Sequence, residues 1–148
     1  MSPQKQLHIQ QKHHVDHDTI MKRLDAYITA YRSGKPEAMM EFFHPENVVY
    51  SDFAAGLHGL SRSEIKETYK RTFSEIHDVN IKTLSVHGHK DFTAWEWEVF
   101  CKPEIDTTTG EKVGKENSSQ KHLAGCTLMW WQDGKIIRNH DYMQMKDA

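Results

Sequence analysis

Long apolar runs are missing from this chain of 148 residues. No stretch approaches the roughly 18 apolar residues that a membrane span needs, and the first residues hold no apolar core of a secretory signal. The expectation is a soluble, cytoplasmic protein with no membrane partner. Blocks of Lys or Arg are missing as well: formal net charge is -2 and the pI is near 6.6. Nothing electrostatic therefore favours nucleic acid. Cysteine is scarce, with Cys101 and Cys126 only, at no metal-type spacing. They either face each other across a sheet or stay apart, and a reducing compartment favours buried free thiols. No Gly-rich phosphate loop, serine nucleophile elbow or zinc signature is present, so no cofactor is expected. His13 and His17 stand at i, i+4 beside His14, but spacing fixes no third ligand, so no metal is expected either. Asn117-Ser118-Ser119 matches a glycosylation acceptor, which means little without a secretory signal.

Aromatic bulk, by contrast, is plentiful. Four Trp, six Phe and five Tyr supply one compact core, and one domain is the natural reading of this length. Residues 1–15 are polar and rich in Gln and His, and read as a flexible arm before a single domain over 16–148. Asp16 or Asp18 caps a helix to about Ser33, with Ile20, Leu24, Tyr27, Ile28 and Tyr31 on one stripe. Gly34 stops it, and Pro36 opens a short helix to about Phe43. Val48–Phe53 reads as a strand, followed by a loop through Gly56 and Gly59. Ser61 with Glu64 opens a third helix as a capping box, its stripe running from Ile65 to Ile76.

The pattern then changes to long strands: 79–87, 92–101, 123–131 and a final one after Asp133-Gly134, a dipeptide suited to a tight hairpin. Residues 102–121 form an extended polar hairpin loop. Helices first and antiparallel strands later predict an α+β fold, with three helices packed on a strongly curved, mostly antiparallel sheet that encloses a pocket.

Asp141 is an acid among large apolar residues on the last strand, sharing a face by period two with Ile137, Asn139 and Met143. If that face is concave, desolvation raises its pKa toward a range suited to proton transfer. If it is convex, Arg138, His140 and Tyr142 face the pocket instead. Trp95 and Trp97 read as core or pocket lining, and His122 and His140 as either ordinary side chains or proton relays.

In their order and spacing, several segments resemble the nuclear-transport-factor-2-like (NTF2-like) α+β cone, specifically its polyketide-cyclase (SnoaL-like) and ketosteroid-isomerase branch. They are Tyr27 with Gly34 and Phe42-Phe43, Val48-Val49-Tyr50-Ser51-Asp52 with Gly59, the helix capped at Ser61, and Trp131-Gln132-Asp133-Gly134-Lys135-Ile136 followed by Asp141. The resemblance spans roughly residues 18–145. It implies Asp141 as acid/base, Tyr27 as donor to a developing oxyanion and Asp52 as a second carboxylate. Tyr31, Tyr50, Trp95, Trp97, Met129, Asn139 and Met143 would hold the substrate. It also implies a homodimer formed through the convex sheet face. One departure stands out: where the family often has a second ionisable group on the penultimate strand, this chain has Cys126-Thr127. The scytalone-dehydratase branch fits poorly, since Tyr31-Arg32 stands where it has Tyr-Asp.

Two functional classes follow. One is an enzyme moving protons on a hydrophobic, carbonyl-bearing small molecule, such as a polyketide or terpenoid intermediate, by cyclisation, isomerisation or dehydration. The other is a non-catalytic ligand carrier or dimeric interaction module. Convergence of Tyr27 and Asp141 on one cavity is what the enzyme reading requires.

Overall fold

The computed structural model describes residues 3–105, 109–114 and 119–146, with side chains from residue 16 onward. The side chains of His13 and His14, and the whole of Asn117, lie outside the described residues. Among those described, no three His, Cys, Asp or Glu gather as a metal site, and no helix is long and apolar enough to cross a membrane.

Helix α1 spans Pro3–Ser33, so residues expected as a flexible arm have helical backbone, and Asp16 and Asp18 lie within the helix. The reason is local: Gln, Lys and Leu are good helix formers, and nothing after Pro3 breaks the run. The missing apolar stripe in those turns argued against packing, not against helix. Ile20, Leu24 and Tyr27 are buried as the stripe requires, with Ile28 and Tyr31 partly buried beside them. Gly34 at φ 67° ends α1. Helix α2 covers Pro36–Met40, and α3 covers Arg62–Glu75, with Glu64 Oε1 accepting from the Ser61 N–H at 3.1 Å.

The strands are β1 (Val49–Asp52), β2 (Leu57–Leu60), β3 (Ile76–His89), β4 (Phe92–Pro103), β5 (Lys121–Gln132) and β6 (Lys135–Lys146). They form one sheet in the order β2-β1-β6-β5-β4-β3. Among these described strands only β1 and β6 pair in parallel, and an isolated bridge from Phe43 to Ile136 is also parallel.

Three details differ from expectation. The Gly56–Gly59 loop contains β2, which closes a hairpin onto β1. Ile76, expected on α3, is already extended at φ -132°, so the helix passes straight into β3. Asp78 at φ 51° lies in the irregularity that admits the extra strand residues. The third detail is in β6. Register slips between Trp130 and Trp131, so Ile136 is fully buried while Ile137, expected beside Asp141, is displaced from the inner face. The Asp133-Gly134 turn itself behaves as its chemistry demands, with both residues at positive φ (52° and 74°).

Candidate active site

Three strand registers bring the site together. Asp52 pairs with Asp141, Asp141 with Thr127, and Thr127 with Trp95, so four neighbouring strands contribute one row. Side chains at equivalent positions of a ladder share a face, so this row points to the same side. The helices lie over that side. Tyr27 and Tyr31, four residues apart on α1, project from one helix face, and Tyr69 and Thr72 from one face of α3.

Between helices and sheet lies a cavity of about 270 Å³. Tyr27, Tyr31, Tyr50, Asp52, Trp95, Trp97, Asp141 and Met143 all line it, together with Thr127, Tyr69, Cys101, Leu123 and Val99. Tyr27 and Asp141 therefore meet at one cavity. Two residues expected to touch substrate do not line it. Met129 and Asn139 pair with each other one row deeper and are fully buried there. Met129 packs in the hydrophobic core, and Asn139 braces the acid. His140 packs on the outer face against Trp130 and Phe53, accepting from Arg138 Nε at 3.1 Å. His122 stacks on Phe100, and neither histidine reaches the cavity.

Asp141 is 8% exposed and accepts three hydrogen bonds. Tyr50 Oη donates to Oδ2. Thr127 Oγ1 donates to Oδ1 at 2.7 Å, and Asn139 Nδ2 donates to Oδ1 at 3.1 Å. Burial pushes the carboxyl above its ordinary range, and these three donors pull the other way without cancelling that push. The Asp52 charge on the adjacent strand adds to the rise. Asp52 itself accepts from the Ala55 N–H at 3.1 Å, a turn-capping bond, so it serves the β1–β2 hairpin while facing the cavity.

The Thr127 proton has a fixed direction. Trp97 Nε1 donates to Thr127 Oγ1 at 2.9 Å, leaving the hydroxyl to donate onward to Asp141. Gly125 makes this possible. A Cβ there would lie 2.8 Å from the Trp97 ring, so the indole can occupy this place against β5 only over a glycine. Thr127, Tyr69 and Gly125 are the residues that sequence reasoning passed over. Thr127 occupies the position read as a missing ionisable partner, and what it supplies is a hydroxyl donor rather than a charge.

Tyr27 and Tyr69 hydroxyls bond each other at 2.9 Å, and burial raises the pKa of both. Two hydroxyls bring two protons, and their mutual bond uses one. The second is free to meet a substrate oxygen. Tyr27→Phe removes this pair and leaves the Tyr69 hydroxyl buried, so it is expected to cost about 1–3 kcal/mol in a denaturant melt.

The site is thus a buried acid, with Asp52 beside it, in an aromatic cavity ringed by phenols and carried on a helix-covered, curved α+β sheet of the NTF2-like class. Comparison with known proteins agrees. A SnoaL-like domain model matches residues 24–139, and the chain belongs to that family. Cyclase aurE of Calcarisporium arbuscula is 30% identical over 127 residues, covering 84% of this chain and 87% of that protein. Among solved structures, IdmH of Streptomyces antibioticus, a candidate polyketide cyclase, superposes with a TM-score of 0.69 at 14% identity, over 84% of this chain and 91% of that one. A protein with a ketosteroid isomerase-like fold from Catenulispora acidiphila gives a TM-score of 0.59 at 19% identity, over 81% and 83%. These last two likenesses concern the fold alone.

Proposed function

We propose that this chain is a cyclase-type enzyme that moves protons on a hydrophobic, carbonyl-bearing small molecule, a polyketide-like intermediate being the best fit, with Asp141 as the acid/base. The observation that carries the reading is a buried carboxylate pushed up in pKa at the wall of a mainly aromatic and aliphatic cavity, with a second carboxylate, Asp52, on the adjacent strand. Orientation by those walls supplies much of the rate. The Tyr27–Tyr69 pair, bonded to each other at the cavity wall, supports this reading as the donor that a carbonyl oxygen gaining charge would need. The test is deuterium exchange at the α-carbon of 1-tetralone, a flat aryl ketone, followed by NMR in D₂O. Wild type is expected to exceed the solvent rate, and an Asp141→Asn rate equal to wild type would sink the reading.

A ligand-carrier reading has one observation in its favour: all three donors around Asp141 are already used within the protein. Tight binding of 1-tetralone with no exchange would favour it.

The homodimer we propose uses the outer sheet face. There Phe53 stacks on Tyr142 with centroids 4.8 Å apart, and both are exposed along with Val49. Tyr142→Asp would place a charge in that patch, and sedimentation is expected to shift from dimer to monomer.

A further inference from the structure

The two oxygens of Asp141 are not equivalent, and the difference assigns a role to a neighbour. Oδ1 receives two buried donors, Thr127 Oγ1 and Asn139 Nδ2. Neither can change role cheaply. The Thr127 hydroxyl already accepts from Trp97 Nε1, so its own proton has only Oδ1 to go to. Reversing the Asn139 amide would let its oxygen accept a proton carried on Oδ1, but the N–H₂ would then sit where Asn139 Oδ1 now has no partner. A proton on Oδ1 would therefore leave a buried donor without an acceptor: the proton itself if the Asn139 amide stays as it is, or the fully buried Asn139 N–H₂ if the amide reverses.

Oδ2 is different. Its protein partner is the Tyr50 hydroxyl, which both donates and accepts, and Tyr50 lines the cavity. When Oδ2 carries a proton, the Tyr50 oxygen accepts it and the Tyr50 proton turns toward the cavity. The donor left over is then one that a cavity-bound substrate can meet, not one enclosed in the sheet.

We infer that Tyr50 is a catalytic residue that relays protons between substrate and Asp141 Oδ2, while Trp97, Thr127 and Asn139 are positioning residues that keep Oδ1 free of protons. The inference rests on the acid/base reading above. In the forward step a substrate C–H bond α to the carbonyl breaks and its electron pair stays on the substrate as an enolate. The proton passes to the Tyr50 oxygen as the Tyr50 O–H proton passes to Oδ2. Tyr50 is neutral before and after, so no tyrosinate forms in a cavity where burial strongly disfavours one. The return step runs the same path in reverse and delivers a proton to the substrate, restoring the Asp141 carboxylate. No oxidant or co-reactant is needed.

Two measurements test this, and only one depends on turnover. At low pH, infrared spectroscopy reads the C=O stretch of protonated Asp141, identified as the band absent from Asp141→Asn. With the proton on Oδ2, the carbonyl is Oδ1, so Thr127→Val removes one of its donors and shifts the band to higher frequency. Tyr50→Phe is expected to move it much less. The opposite pattern would put the proton on Oδ1 and overturn the inference. In the 1-tetralone exchange assay, Tyr50→Phe, which keeps the ring contacts with Phe43 and Tyr69, is expected to lose as much rate as Asp141→Asn. A Tyr50→Phe enzyme within threefold of wild type would reduce Tyr50 to a positioning group and overturn the relay. Absence of exchange in wild type would instead reject the acid/base reading, and the infrared result would still decide which oxygen takes the proton.

Discussion

Asp141→Asn is expected to slow turnover about 100- to 10,000-fold, the usual contribution of a positioned general acid/base, and at the same time to raise the melting temperature near neutral pH. The two effects have one cause. Burial raises the folded-state pKa of Asp141 above its unfolded value. For a group shifted that way, the neutral carboxyl's contribution to stability is fully present below the unfolded pKa, close to 3.9, and is lost as pH rises through the folded pKa. At neutral pH the wild type therefore holds a desolvated charge at a net cost. Asn is nearly isosteric and never charged. Its carbonyl oxygen still accepts from Thr127 and Asn139, and its N–H₂ faces the Tyr50 oxygen, which is able to accept. The stability gap between variant and wild type should be small at pH 3, open as pH rises, and level off above the folded pKa. Melting curves across that range check the sign. A variant less stable than wild type at pH 7 would mean that the three donors outweigh desolvation, and the argument for a raised pKa would fail with it. Stability gained as activity is lost is what an acid kept for function rather than for folding should show.

How much of this was legible in the residues varies by element. The helix-1 stripe, the stop at Gly34 and the Asp133-Gly134 turn follow from periodicity and turn chemistry, and the structure keeps them. The inward orientation of Asp141 was open in the sequence, because a strand's two faces are equivalent until something covers one of them. The β6 irregularity shows why extrapolating by twos was unsafe: Ile137 and Asp141 share parity in sequence but not a face in the fold. Thr127 was read as an absence. Its importance depends on cross-strand register, which pairs it with Asp141 on one side and Trp95 on the other, and register between β4, β5 and β6 is not written in any one segment. Asn139 and Met129 were placed on the correct face but at the wrong depth. Period two tells which way a side chain points and says nothing about how far the helices close over it.

Gly125→Ala is the test of whether that register holds the site in place. Gly125 pairs with Trp97 on β4 and Met143 on β6, so it sits mid-sheet between two ladders. A methyl there would come within 2.4 Å of the Tyr142 carbonyl oxygen and 2.8 Å of two Trp97 ring carbons, separations that real Cβ atoms essentially never show. One obstacle is backbone and the other a buried ring, so neither yields as a flexible surface side chain would. Overpacking of this kind costs about 1–3 kcal/mol, occasionally more, and should be read as a lower denaturation midpoint with an unchanged slope. The effect on catalysis follows from where the indole goes. Pushed off β5, Trp97 loses its bond to Thr127, and the Thr127 hydroxyl is then free to rotate away from Asp141. Exchange of 1-tetralone should fall beyond what the remaining folded fraction explains. Adding Trp97→Phe separates the two clashes, because phenylalanine lacks both offending ring carbons while the Tyr142 oxygen stays. Part of the stability should return in the double variant. The rate should not, since phenylalanine has no N–H to direct Thr127. Full recovery of rate there would show that the Trp97–Thr127 bond is incidental to the acid it was argued to position.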